Sequence, residues 1–335
     1  FTFCDRKDGA LFLGDLLKNI IMVLGDLWKL GRFCSHVHPA LFRRLMALVY
    51  QRLLYRAFFY KFRPRYYWGR DPYSEDHIIR RQELNLIGGL SFGVSSGHLT
   101  WAILIPQYRY LSFDKYYVLG RGKYKQYYGH TWANNMTVVP AGSFSGMRSH
   151  YTNRFRKRTL DIAVFSSVFV GELKFAEFIN GLAKAFPERR VILQMKALFS
   201  DIPATEEFIE MSRKDAPNVE TSTAPALDIL ESVGYAFSDP SSVVLEALQF
   251  GARSFAFDMP DLQRENINRQ YPSLIVRTSS DAIDRIKNIE SGDWKYPLDE
   301  FEEIVDLSGT VFFDRIRMDM MLSAKQPAIS LLTDQ

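Results

Sequence analysis

The run Ser238-Asp239-Pro240-Ser241-Ser242-Val243-Val244-Leu245-Glu246-Ala247 puts hydroxyls and carboxylates at the junction of a short apolar strand and a helix. Ser241 and Ser242 fall where the first helical N–H groups lack intrahelical partners, a position that attracts a phosphate and to which two hydroxyls add donors. Glu246, one turn later, shares their side of the helix and can reach a ribose or sugar hydroxyl. The same residues also describe an ordinary capped helix that holds no ligand. Two other groups suit proton transfer. Asp71 follows the strand in Trp68-Gly69-Arg70-Asp71-Pro72, where Arg70 orients a carboxylate but lowers its basicity. His98 closes Ser95-Ser96-Gly97-His98 and titrates near neutrality unaided. Either fits a general base, and either fits equally a helix cap or a loop hydrogen-bond donor. Glu75, Asp76 and His77 point in successive directions on a helix and are not expected to act together.

These groups need rigid elements to hold them, and from residue 65 the chain alternates short β-type runs with helical patterns, the signature of a parallel sheet covered by helices. Arg65–Trp68 reads as a strand, Ser74 as the cap of a helix that stops at Gly88-Gly89, and Leu90–Val94, Lys115–Leu119 and Thr137–Val139 as further strands. Arg148 to Arg158 is polar and basic without periodicity and reads as a linker whose cations stay solvated. The pattern then restarts, with strands over 160–165, 191–195, 218–220, 235–237 and 253–257. Helices are expected over 172–186, 205–213, 226–233 and 242–250. Such alternation places ligands at the carboxyl ends of strands.

The segment Tyr235 to Asp258, YAFSDPSSVVLEALQFGARSFAFD, resembles the donor-binding segment of GT-B glycosyltransferases of bacterial surface polysaccharide biosynthesis. Among these are the CDP-glycerol glycerophosphotransferase-like polymerases and the CMP-sugar-using sialyl- and Kdo-transferases. A strand ending near Lys196 and the stretch Pro217 to Leu230 precede it in the family's order, and Ser91–His98, Asp114–Gly120 and Val138–Gly142 follow that order at pattern level. Two departures stand out: Gly97-His98 reverses the His-Gly pair of the glycerophosphotransferases, and no His-Pro donor motif follows Val191–Lys196. The resemblance implies an α/β chain of two Rossmann-like lobes facing a cleft (GT-B). Residues 1–150 would form the acceptor lobe and 151–335 the donor lobe. A CMP-, CDP- or UDP-linked sugar would be the donor substrate, held by Ser238, Asp239, Ser241, Ser242, Glu246 and Lys196, with no separate cofactor and no metal ion. A polyol-phosphate transferase, a nucleotide-sugar epimerase and a GT-B-like scaffold without turnover share the same architecture.

Composition bounds the reading. With 335 residues, 47% hydrophobic and 14% aromatic, the chain can bury two cores, which excludes disordered and low-complexity classes. Two cysteines, Cys4 and Cys34, are too few for a disulfide framework or a zinc cluster and suggest a reducing compartment. The sequence opens on Phe1, so upstream residues are expected to have been trimmed. The net charge of +4 conceals an asymmetry: no acidic residue lies between Asp26 and Asp71, a stretch dense in Arg and large apolar groups. Over about 27–70 this reads as a basic amphipathic helix in which Arg43, Arg44, Arg52 and Arg56 meet an anionic membrane surface. It also reads as a surface helix of a soluble lobe, with nucleic acid ranking behind both. No run of about 18 residues within this stretch escapes an Arg or Lys, so the stretch is not expected to span a membrane. The combined expectation is a glycosyltransferase at the cytoplasmic face of a membrane, acting on a glycan or lipid-linked acceptor.

Overall fold

The computed structural model describes residues 13–33, 38–69, 75–95, 110–120, 132, 135–146, 148–153, 158–167, 169–196, 203–261 and 267–325. Two helices open it, α1 (Leu13–Phe33) and α2 (Pro39–Phe62). His38 starts α2 by accepting the Ala40 N–H on Nδ1, with Pro39 in the first turn, where its missing donor costs nothing. A first sheet follows, β1 (Tyr66–Gly69), β2 (Leu90–Val94), β3 (Lys115–Val118) and β4 (Thr137–Pro140), parallel throughout and in that spatial order. Helix α3 (Asp76–Asn85) connects β1 to β2 and packs between α2 and the sheet.

The second sheet contains β5 (Ile162–Ser166), β6 (Val191–Met195), β7 (Val219–Ser222), β8 (Tyr235–Ser238), β9 (Arg253–Phe257) and β10 (Ile275–Val276). Its order is β10-β9-β8-β5-β6-β7, again all parallel. The chain runs outward from β5 through β6 to β7, then returns to pair β8 on the other side of β5. The topological switch point therefore lies between β5 and β8, the place where open parallel sheets bind ligands. Every residue of β5 is buried, as expected for a central strand covered on both faces. The flanking helices are α4 (Arg148–Asn153), α5 (Leu173–Ala185), α6 (Pro203–Arg213), α7 (Ala226–Leu230), α8 (Val243–Gln249) and α9 (Ser279–Ser291). Phe175, Phe178 and Phe257 stack in the middle of the larger core.

The last helix, α10 (Phe312–Lys325), returns to the first sheet. Its Phe312 and Ile316 join Phe92, Val94 and Tyr117 in one buried cluster, Tyr117 Oη donates to Asp319 Oδ2 at 2.9 Å, and Tyr66 Oη to the Met320 carbonyl at 2.8 Å. On the way, residues 304–306 cross the end of β3 so closely that a Cβ on Gly120 would lie 2.3 Å from the Ile304 carbonyl carbon.

Three expectations are corrected. Segment 148–158 is not a solvated linker throughout: 148–153 is helical, Tyr151 is buried, and Arg158 donates to the carbonyls of Leu230, Val233 and Phe250. Helix α3 starts two residues after Ser74, with Glu75 at its cap position and no side-chain cap. Of the four arginines of α2 expected to face lipid, Arg43 is exposed, whereas Arg44, Arg52 and Arg56 are held in ion pairs. Arg56 is buried and doubly hydrogen-bonded to Glu83 of α3, Arg52 bridges Glu83 and Asp26, and Arg44 pairs with Glu75. Apolar side chains surround α2 on several sides because it is sandwiched between α1 and α3, so the helix is not amphipathic.

Candidate active site

Parallel strands in both sheets bring their following loops to one end, and the site residues of the second lobe gather there. Asp239, directly after β8, is fully buried and reaches across the switch point to the loop after β5. It accepts the Ser167 N–H at 2.5 Å, the Ser167 hydroxyl and the Phe169 N–H at 3.2 Å. A carboxylate with several donors is well satisfied without any ligand. Asp239 thus ties the end of β8 to the loop after β5, and the buried Ser238 hydroxyl donates to it at 3.4 Å. Ser241 and Ser242 come next. Both are half-buried, Ser242 occupies the cap position of α8 without a side-chain cap bond, and Ser241 Oγ lies 3.5 Å from the Val243 N–H. Lys196 is exposed at the end of β6, its N–H bonded to the Ser166 carbonyl. Ends of the three adjacent strands β8, β5 and β6 therefore present Asp239, Ser167 and Lys196 side by side.

Glu246 faces the other lobe. Its Oε1 accepts from Ser143 Oγ, on the loop after β4, at 2.9 Å. Burial pushes its pKa up, and the Ser143 hydrogen bond offsets this only in part. Around this contact the two sheets are joined by a closed cycle. The Ser143 N–H donates to Gln249 Oε1 at 2.7 Å, Gln249 Nε2 to Tyr151 Oη at 3.0 Å, and Tyr151 Oη to the Ser143 carbonyl at 3.2 Å. Burial pushes the Tyr151 phenol up to about 12, so it keeps the proton it donates. Gly142 makes the approach possible: its φ is +71° and a Cβ there would lie 1.9 Å from Gln249 Nε2. None of Gly142, Ser143, Tyr151 and Gln249 was singled out in the sequence as a site residue. The Gly before a polar residue at a strand end was the available signal, and its partner lies 107 positions away in the chain, 249 minus 142.

Asp71 and His98 lie outside the described residues. The strands they follow, β1 and β2, are neighbours in register, with Gly69 opposite Gly93. His77 is buried, stacked on Phe113 with ring centroids 5.1 Å apart and with Nε2 3.2 Å from the Tyr110 carbonyl, so it does not act with Glu75 and Asp76. At the end of β9, the buried Asp258 pairs with Arg269 and Arg277. Among the described residues no cluster of three His, Cys, Asp or Glu is placed to hold a metal ion.

Two parallel sheets meeting at their carboxyl ends, with a switch point in the second, is an arrangement with solved counterparts. The chain has the GT-B fold. A putative UDP-N-acetylglucosamine 2-epimerase from Listeria monocytogenes superposes with a TM-score of 0.54 at 10% identity, over 83% of this chain and 80% of that one. A further UDP-N-acetylglucosamine 2-epimerase gives a TM-score of 0.53 at 10% identity, over 88% and 81%. No protein-family model and no curated protein matches the sequence. In this GT-B chain Ser238, Asp239, Ser241, Ser242 and Glu246 follow one another from the end of β8 into α8, and Lys196 stands at the end of β6, two strands from β8.

Proposed function

We propose that this chain is a glycosyltransferase that moves a sugar from a nucleotide-activated donor to a glycan or lipid-linked acceptor in surface polysaccharide biosynthesis, at the cytoplasmic face of a membrane. One observation carries the reading: Glu246 of the second lobe and Ser143 of the first meet at 2.9 Å where the carboxyl ends of both sheets converge. A donor bound in the second lobe would there face an acceptor held by the first. Residues 151–335 hold the donor, with Ser241 and Ser242 donating to its phosphates, Glu246 accepting a sugar or ribose hydroxyl, and Lys196 offsetting negative charge. Asp239 positions the loop beneath them rather than touching the donor. Residues 1–150 hold the acceptor.

In the transfer the acceptor hydroxyl gives its proton to a base, Asp71 or His98, on the loops after β1 and β2. Its oxygen bonds to the anomeric carbon as the bond from that carbon to the phosphate oxygen breaks. The electron pair leaves with the nucleotide, whose new charge is met by hydrogen-bond donors on the crevice rim.

A second reading, nucleotide-sugar epimerisation, is favoured by the two superposing structures described as UDP-N-acetylglucosamine 2-epimerases. An epimerase consumes its nucleotide sugar without an acceptor, so product analysis of UDP-, CMP- and CDP-linked donors with and without a glycan acceptor separates the two. Release of nucleotide only when acceptor is present supports transfer. An altered sugar still attached to its nucleotide supports epimerisation, and protection by no nucleotide in a thermal-shift screen would leave a scaffold.

A further inference from the structure

Helix α1 carries an apolar stripe that no part of the described structure covers. Leu13, Leu17, Ile21, Leu24 and Trp28 are each more than half exposed. With Ile20 they fall within an arc of about 100° at helical spacing. Lys18, Lys29 and Arg32, all exposed, follow along one edge of that arc, and Arg32 stacks over the Trp28 ring at 4.9 Å. The two acidic residues of α1 turn the other way: Asp15 pairs with Lys61 and Asp26 with Arg52, both on α2. Phe42, Met46 and Tyr50, exposed at four-residue spacing beside the exposed Arg43, repeat the pattern at the start of α2. The outer surface of this hairpin is thus apolar with cationic edges. Its carboxylates are drawn inward and paired.

We propose that the α1–α2 hairpin lies in the plane of an anionic lipid surface, with the α1 stripe in the headgroup and acyl boundary and its cationic edge on lipid phosphates. Helices of this make-up bind membranes by apolar burial plus attraction to anionic headgroups. No described helix is long and apolar enough to cross a membrane, so the hairpin would lie on the bilayer rather than span it. Charge decides against a second copy of the chain as the occupant. An isologous contact sets the same patch against itself, which would oppose like charges with no exposed carboxylate among the described residues of the hairpin to receive them. The ion pair from Arg44 to Glu75 fixes the start of α2 beside the start of α3, the helix that follows β1 in the first lobe. Membrane contact therefore brings a lipid-linked acceptor to the lobe that would hold it. Only that last step rests on the transferase reading.

The test is co-sedimentation of the full chain with vesicles of phosphatidylglycerol and phosphatidylcholine in equal parts, against vesicles of phosphatidylcholine alone. Wild type should sediment with the anionic vesicles and be released as salt is raised. Leu17→Gln/Ile21→Gln/Leu24→Gln should lower the partition constant by roughly 100-fold, and Lys18→Gln/Lys29→Gln/Arg43→Gln should remove the preference for anionic lipid. All six side chains are exposed, so an unchanged circular dichroism melt confirms folding. Wild type remaining in the supernatant, or the apolar triple variant sedimenting like wild type, overturns the proposal. So does a dimer in light scattering that the triple variant converts to monomer without any vesicle binding. Nucleotide affinity measured on the same variants keeps a failure here distinct from a failure of the transferase reading.

Discussion

Ser143 Oγ donates to Glu246 Oε1 at 2.9 Å, across the line where the two sheets meet. The pairing places a carboxyl with a raised pKa at a contact between the two lobes.

Ionised Glu246 is the costly form in the folded chain, because burial raises its pKa above the ordinary value of 4.5. The penalty is absent below that value and grows as the pH rises through the folded pKa. Glu246→Gln, which keeps an acceptor for Ser143, should leave the melting temperature unchanged near about pH 4 and raise it by roughly 2 °C or more at about pH 8. Parallel melting curves for the two proteins over this range would show that the carboxyl carries no burial penalty.

Gly142→Ala combines a positive φ with a Cβ that collides with Gln249. It should cost about 2–4 kcal/mol in urea unfolding. Gln249→Ala should also destabilise, since Ser143 and Tyr151 lose partners. The double variant should lose less than the sum of the two, because the collision disappears with the Gln side chain.

Replacing Glu83 by Gln strands Arg56, whose side chain is 6% exposed, and loosens Arg52. A loss of about 3–5 kcal/mol is expected, the usual effect of removing one partner from a buried pair. Arg43→Gln, on the exposed side of the same helix, should stay within about 0.5 kcal/mol of wild type. Substituting Arg44, Arg52 and Arg56 would therefore disturb folding and say little about lipid.

The sequence disclosed what depends on local pattern. Leu90–Val94, Val191–Met195 and Arg253–Phe257 form strands with the expected bounds, because apolar β-type runs flanked by turn residues leave little choice. Ser241, Ser242 and Glu246 could be proposed from the strand-to-helix junction alone. The backbone contacts of Asp239 could not be read from the sequence, because a carboxylate after a strand has the same signature whether it binds substrate or a backbone loop. The roles of Arg52, Arg56 and Arg158 were hidden because their partners, Glu83, Leu230 and Phe250, lie 27 to 92 residues away. Helix α10 escaped for the same reason: its buried face fits the first sheet, which the chain left more than 170 residues earlier.

Calorimetric titration of the chain with UDP, CMP and CDP tests the central claim most directly, repeated on Ser241→Ala/Ser242→Ala. One of the three nucleotides should bind wild type, and the double variant should lose at least about 100-fold in affinity, as expected for removing two hydrogen bonds to charged phosphate oxygens. Equal affinity in the two proteins, or no heat from any nucleotide, would contradict the assignment of this crevice to a nucleotide-activated donor.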